Sequence, residues 1–169
     1  MKKRTILYST MLTLTISAGS AVAGGSANDR SSVPLQGAWQ LTINPVNCET
    51  GVPSPVKFVS FITFSAGGTV TEATSNPFFQ PGQRSPGLGY WERNSRTFYH
   101  SIVQAFIQFD SVDTVPDAPM YVRGTQTLDQ TISMQDANHW TSDALVTFHD
   151  VSGATVPPSG CAKATAVRM

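Results

Sequence analysis

The stretch Val122-Arg123-Gly124-Thr125-Gln126-Thr127-Leu128-Asp129-Gln130-Thr131-Ile132-Ser133-Met134, then Gln135-Asp136-Ala137, then Asn138-His139-Trp140-Thr141-Ser142-Asp143-Ala144-Leu145-Val146-Thr147-Phe148, decides the fold class. Val122, Leu128, Ile132 and Met134 share one face, and Arg123, Thr125, Thr127, Asp129, Thr131 and Ser133 share the other. Beyond the short break, Trp140, Ala144, Val146 and Phe148 oppose Thr141, Asp143 and His149. A period of two with one dry and one wet face is the pattern of an antiparallel sheet around a single core.

Working outward, the chain breaks into eight runs of this type, separated by Gly, Pro, Asn, Asp and Ser. They are 38–43, 56–64, 69–75, 89–93, 96–109, 120–134, 138–148 and 162–168. No long stretch has helical periodicity. The connecting segments 65–68, 94–95 and 135–137 are short. The segments 44–55, 76–88, 110–119 and 149–161 are long, so short and long links alternate. In an up-and-down meander every second link lies at the same end. The alternation predicts tight turns at one end and long loops at the other. Eight antiparallel strands can close into a barrel with no exposed edge, and its interior can be filled by side chains or hold one small ligand. A β-sandwich would also use eight short strands.

The first residues are of another kind. Lys2, Lys3 and Arg4 precede an uncharged, mostly apolar run from Ile6 to Ala18, and Ala21-Val22-Ala23 supplies a small-x-small cleavage pattern. This reads as a Sec-type signal peptide over 1–23, too short and too rich in Thr and Ser for a membrane span. Residues 24–34 are small, polar and aperiodic, a flexible leader before a barrel domain over 35–169. The expected location is the periplasm or the extracellular medium. Cleavage after Ala23 removes three of the 11 basic residues and leaves eight against 11 acidic ones. That mild, scattered acidic balance offers no footprint for nucleic acid or an anionic membrane. The two cysteines, Cys48 and Cys161, read first as a disulfide in an exported chain, with two free thiols as the alternative. If the first and last strands close the barrel, Cys48 and Cys161 meet at the seam.

Gly37-Ala38-Trp39 at the start of the first strand resembles the G-x-W signature of lipocalins and the wider calycin group. The resemblance implies an eight-stranded barrel in which Trp39 packs at the closed end and a basic residue from the end of the last strand, here Arg168, lies over it. Both roles are structural. An indole and a cation stacked this way attract by about 0.5–2 kcal/mol.

Motifs for chemistry are scarce. His100, His139 and His149 show no metal-ligand spacing and fall on the wet faces of their runs. No G-x-S-x-G turn or phosphate-cradling glycine loop is present. No cofactor is expected. Glu72 and Glu92 lie on neighbouring runs; facing inward they would form an acid/base pair, and facing outward Glu92 would pair with Arg93 or Arg96. The aromatic residues are more suggestive. Phe78 and Phe79 stand together in the long link 76–88, as a lid over an apolar pocket or as a plug of ordinary core. With Tyr90, Trp91, Tyr99 and Phe148 they are the candidate ligand-binding residues, and Trp140 is expected low in the barrel near Trp39. The leading expectation is a barrel that binds a small hydrophobic molecule. A shape-selective cyclase or isomerase, and a module that presents its long loops to a protein partner, are the other two.

Overall fold

The computed structural model describes residues 35–109 and 121–169. The expected signal peptide, the leader up to Pro34 and the link 110–119 fall outside them. The described residues form eight strands and no helix: β1 (Gly37–Val46), β2 (Phe58–Phe64), β3 (Thr69–Thr74), β4 (Gly87–Arg93), β5 (Phe98–Phe109), β6 (Tyr121–Met134), β7 (His139–Asp150) and β8 (Thr155–Arg168). Each strand pairs antiparallel with the next, and β1 pairs with β8, so the sheet is a closed eight-stranded barrel.

Six strands, β2 to β7, match the sequence runs to within two residues at each end, and β1 continues three residues further. The last strand differs. β8 begins at Thr155 instead of Ala162, and β7 runs on to Asp150. The expected long link 149–161 is therefore a tight turn, closed by Asp150 N–H on the Ala154 carbonyl at 2.9 Å. Pro157 and Pro158, which read as loop residues, lie on the part of β8 beyond its last pairing with β1, Val46 with Cys161. Proline is tolerated on such a free edge because no ladder hydrogen bond is demanded of it there, and it blunts the edge against further pairing.

The inward side chains form two layers of different chemistry. At the short-turn end, Leu35, Trp39, Phe64, Val70, Tyr99, Ile132 and Trp140 are fully buried. Their rings meet edge to face: Trp39 and Trp140 at 6.0 Å between centroids, Phe64 and Trp91 at 6.0 Å, Phe64 and Trp140 at 6.2 Å. Trp39 Nε1–H donates to the Leu35 carbonyl at 2.8 Å, which satisfies the polar end of the buried indole. Arg168 covers this floor from below, its Cζ 4.1 Å from the Trp39 ring centroid, while its Nη1 and Nε donate to the carbonyls of Gln36 and Ala137. At the other end Cys48 and Cys161 are joined in a disulfide.

Candidate functional site

Above the aromatic floor the interior turns polar. Ser60 on β2, Glu72 on β3, Ser101 on β5, Gln126 and Gln130 on β6 and Ser142 on β7 are all buried. Their positions follow from strand parity. Glu72 is two residues from the floor residue Val70, and Gln130 is two residues from Ile132, so each shares the inward face of its strand.

One further residue enters from outside the sheet. Arg84, in the long link between β3 and β4, is fixed to β5 by an isolated bridge to Ile107, by Ser85 N–H on the Phe106 carbonyl and by Phe106 N–H on Ser85 Oγ. Its side chain crosses the barrel mouth. Nη2 meets Glu72 Oε2 at 2.8 Å, and Nε donates to Gln126 Oε1 at 2.6 Å. The other carboxylate oxygen, Oε1, accepts from Ser60 Oγ at 2.8 Å. The Arg84 and Glu72 side chains are 5% and 4% exposed. Gly87 makes room for this pair: a Cβ there would sit 2.5 Å from Val103 Cγ1 and 2.9 Å from Glu72 Oε2.

Beside Glu72, inside the barrel, lies a cavity of about 30 Å³. Leu41, Ile43, Ile62, Val103 and Leu128 make its wall largely aliphatic, and Ser60, Glu72, Gln130 and Ser142 bring polar groups to it. This is room for one or two waters. A wider open groove, of about 540 Å³, lies on the outer surface beside the disulfide, bordered by Asp129, Thr131, Asp143 and Lys163.

The six candidate ligand residues are distributed over the whole barrel. Trp91 and Tyr99 belong to the floor, 5.9 Å apart, with Trp91 Nε1–H on the Ser65 carbonyl. Burial raises the Tyr99 hydroxyl above its ordinary pKa, against the smaller opposing effect of the nearby Arg93 charge. Tyr90 is exposed on the outer face of β4. Phe148 is half-buried high on β7, across from Gln126. Phe78 is 62% exposed at the mouth and Phe79 is half-buried beside it.

The two glutamates part company. Glu72 points in and Glu92 points out, where it lies 3.6 Å from His100 Nδ1, while His100 Nε2 meets Asp129 Oδ1 at 2.7 Å. His139 is exposed beside Asp136, and His149 is half-buried. Among the described residues no group of three or more His, Cys, Asp or Glu is arranged to hold a metal ion.

Arg84, Gln126 and Gln130 were not singled out from the sequence. The parity of β6 places both glutamines with Leu128 and Ile132, so that signal was present. Arg84 carries none, because a loop arginine reads as a solvated charge.

No protein-family model matches the chain, and no curated protein is significantly similar to it.

Proposed function

We propose that this chain is an exported, lipocalin-like binding protein that holds a small, largely apolar molecule in the upper half of the barrel. The observation that carries the reading is the cavity beside the Arg84–Glu72 pair, aliphatic on most of its wall and bordered by a few polar groups. A mostly aliphatic wall with a few placed polar groups is the lining of small-molecule sites, and a guest larger than water needs this cavity to widen. The guest enters at the mouth, past Phe78 and Phe79, as Arg84 lifts. The Cys48–Cys161 disulfide fits an oxidising compartment, and residues 1–23 serve as the export signal, with 24–34 as a leader. The isomerase or cyclase reading has less support. Both oxygens of Glu72 are already engaged, by Ser60 and Arg84, which suits a fixed charge better than a group that trades protons.

Native mass spectrometry of the protein, purified from its own compartment without detergent, tests the proposal. The expected result is an adduct that is lost on denaturation. Leu128→Trp, which fills the cavity, should abolish the adduct while leaving the circular dichroism unchanged. A bare mass under these conditions would count against it. One observation favours a second reading, a module that presents its loops to a protein. Phe78 is exposed at the mouth, and a large exposed aromatic at a loop tip suits a contact with a partner. Replacing Phe78 and Phe79 by Ser tells the two roles of these rings apart: loss of a co-purifying protein with the adduct intact assigns them to a partner, and a weakened adduct assigns them to the entrance of the barrel.

A further inference from the structure

Ser101 and Gln130 face each other directly across the β5–β6 ladder, both pointing inward and 0% and 5% exposed. Neither Ser101 Oγ nor Gln130 Nε2 has a hydrogen-bond partner among the described residues. Gln130 borders the cavity, and so does Ser142 from the adjacent strand. A buried amide N–H without an acceptor is destabilising, and Gln130 borders the cavity, so a guest there that brings an acceptor, in place of a water, would satisfy it.

The charges nearby decide what sort of acceptor. Glu72 is matched by Arg84. Lys163, whose residue reaches the cavity rim, holds Asp143 at 2.7 Å with both side chains exposed. A carboxylate guest would therefore meet no spare cation, and an ammonium guest no spare anion. Either would be stripped of water without a counter-charge.

Building on the interior-binding reading, we infer that the guest carries a neutral hydrogen-bond acceptor, a carbonyl oxygen, seated on Gln130 Nε2 with Ser101 Oγ as a second donor. Its aliphatic body lies against Leu41, Ile62, Val103 and Leu128. The ligand class is thus a small aliphatic ketone, aldehyde, ester or amide, not a fatty acid and not an amine.

Titrations of the ¹⁵N-labelled exported protein test this, read at the Gln130 side-chain amide, which is assigned by its loss in Gln130→Leu. The probes are cyclopentanone, cyclopentane, cyclopentylamine and cyclopentanecarboxylate, alike in ring size and different in polar end. Cyclopentanone is expected to shift the Gln130 amide resonance and to bind roughly tenfold more tightly than cyclopentane. Gln130→Leu should erase that preference. Ser101→Ala, which alters less volume, should reduce it. Equal binding of cyclopentane, or tighter binding of the amine or the carboxylate, overturns the acceptor assignment and leaves interior binding standing. Silence from all four probes also overturns the assignment. Whether interior binding falls with it is then read from the native mass spectrum, which does not depend on the probes chosen.

Discussion

Arg84 reaches from a loop into the barrel and holds Glu72 at 2.8 Å, with both side chains almost wholly withdrawn from water. Removing one partner leaves the other charge buried and uncompensated, which costs about 3–5 kcal/mol. Arg84→Ala and Glu72→Ala are each expected to fall in that range in urea unfolding. Replacing both by apolar residues of similar volume, Arg84→Met with Glu72→Leu, should recover most of the loss, because the desolvation of two charges is then avoided. A double variant as unstable as the sum of the singles would mean that the two side chains act separately.

Gly87 and Gly89 give β4 an inward face without side chains beside that pair. At Gly89 an added Cβ would overlap the Ile102 backbone carbonyl, and backbone cannot step aside. At Gly87 the clashes are with the side chains of Val103 and Glu72. At Gly160 the nearest atom is Val146 Cβ at 3.8 Å, an ordinary contact. The expected order of stability is therefore Gly160→Ala near wild type, Gly87→Ala destabilised by about 1–3 kcal/mol through overpacking, and Gly89→Ala lowest. Thermal melts of the three variants check the order. Equal melting of Gly89→Ala and Gly160→Ala would contradict the close approach of β4 to β5.

The barrel was legible from the alternation of β6 and β7 and from the spacing of the short turns. Parity needs only the identity of every second residue. The start of β8 was not legible, because Pro157 and Pro158 carry loop signals; they sit in a strand because β1 has ended beyond Val46 and the β7–β8 register shifts past them. The seam was legible, since Trp39 pairs with Arg168 and Val46 with Cys161 in one register. The polar roof was the hidden part. Glu72 could be named as a candidate, but its partner lies twelve residues on in a loop. No local periodicity says that a loop side chain turns inward. Residue type marks Trp91 and Tyr99 as candidate ligand contacts, and alternation alone does not give the height on the strands that sets both rings in the aromatic floor.

Two turns at opposite ends each hold a carboxyl by hydrogen bonds that favour its charged form. Asp150 accepts from Ser152 Oγ at 2.6 Å and from the N–H groups of Ser152 and Ala154. These bonds, the Ser152 hydroxyl foremost, hold its carboxyl below the ordinary value of 3.8. Asp136 is lowered in the same way, first by the Asn138 N–H and then by His139. A carboxyl with a lowered folded pKa contributes stability that is complete above its unfolded value. The contribution is lost as pH falls below 3.8 and through the folded value. Melting temperatures from about pH 6 to about pH 2 should fall at the acid end in the wild type. They should fall less in Asp136→Asn with Asp150→Asn, which starts lower at neutral pH because the charge-assisted bonds are gone. Parallel acid limbs would show that other carboxyls govern the transition.

The disulfide closes the seam where its ladder stops. Val46 and Cys161 are the last pair of β1 and β8, and Cys48, two residues further, is bonded to Cys161 across 113 residues of sequence. A loop of that size removes enough freedom from the unfolded chain to stabilise the fold by about 4–5 kcal/mol in the chain-entropy account. The ladder from Trp39–Arg168 to Val46–Cys161 remains without the bond, so Cys48→Ser with Cys161→Ser should keep the barrel and its circular dichroism. Its urea midpoint should fall by an amount matching that energy. Its m value should rise, because the unfolded chain without a cross-link expands and exposes more surface. Trp39, Trp91 and Trp140, all in the floor, report the transition by fluorescence. Wild-type protein treated with dithiothreitol should follow the curve of the double variant. If untreated wild type already follows it, the two thiols are free in solution and the closed β1–β8 seam stands on its backbone ladder alone.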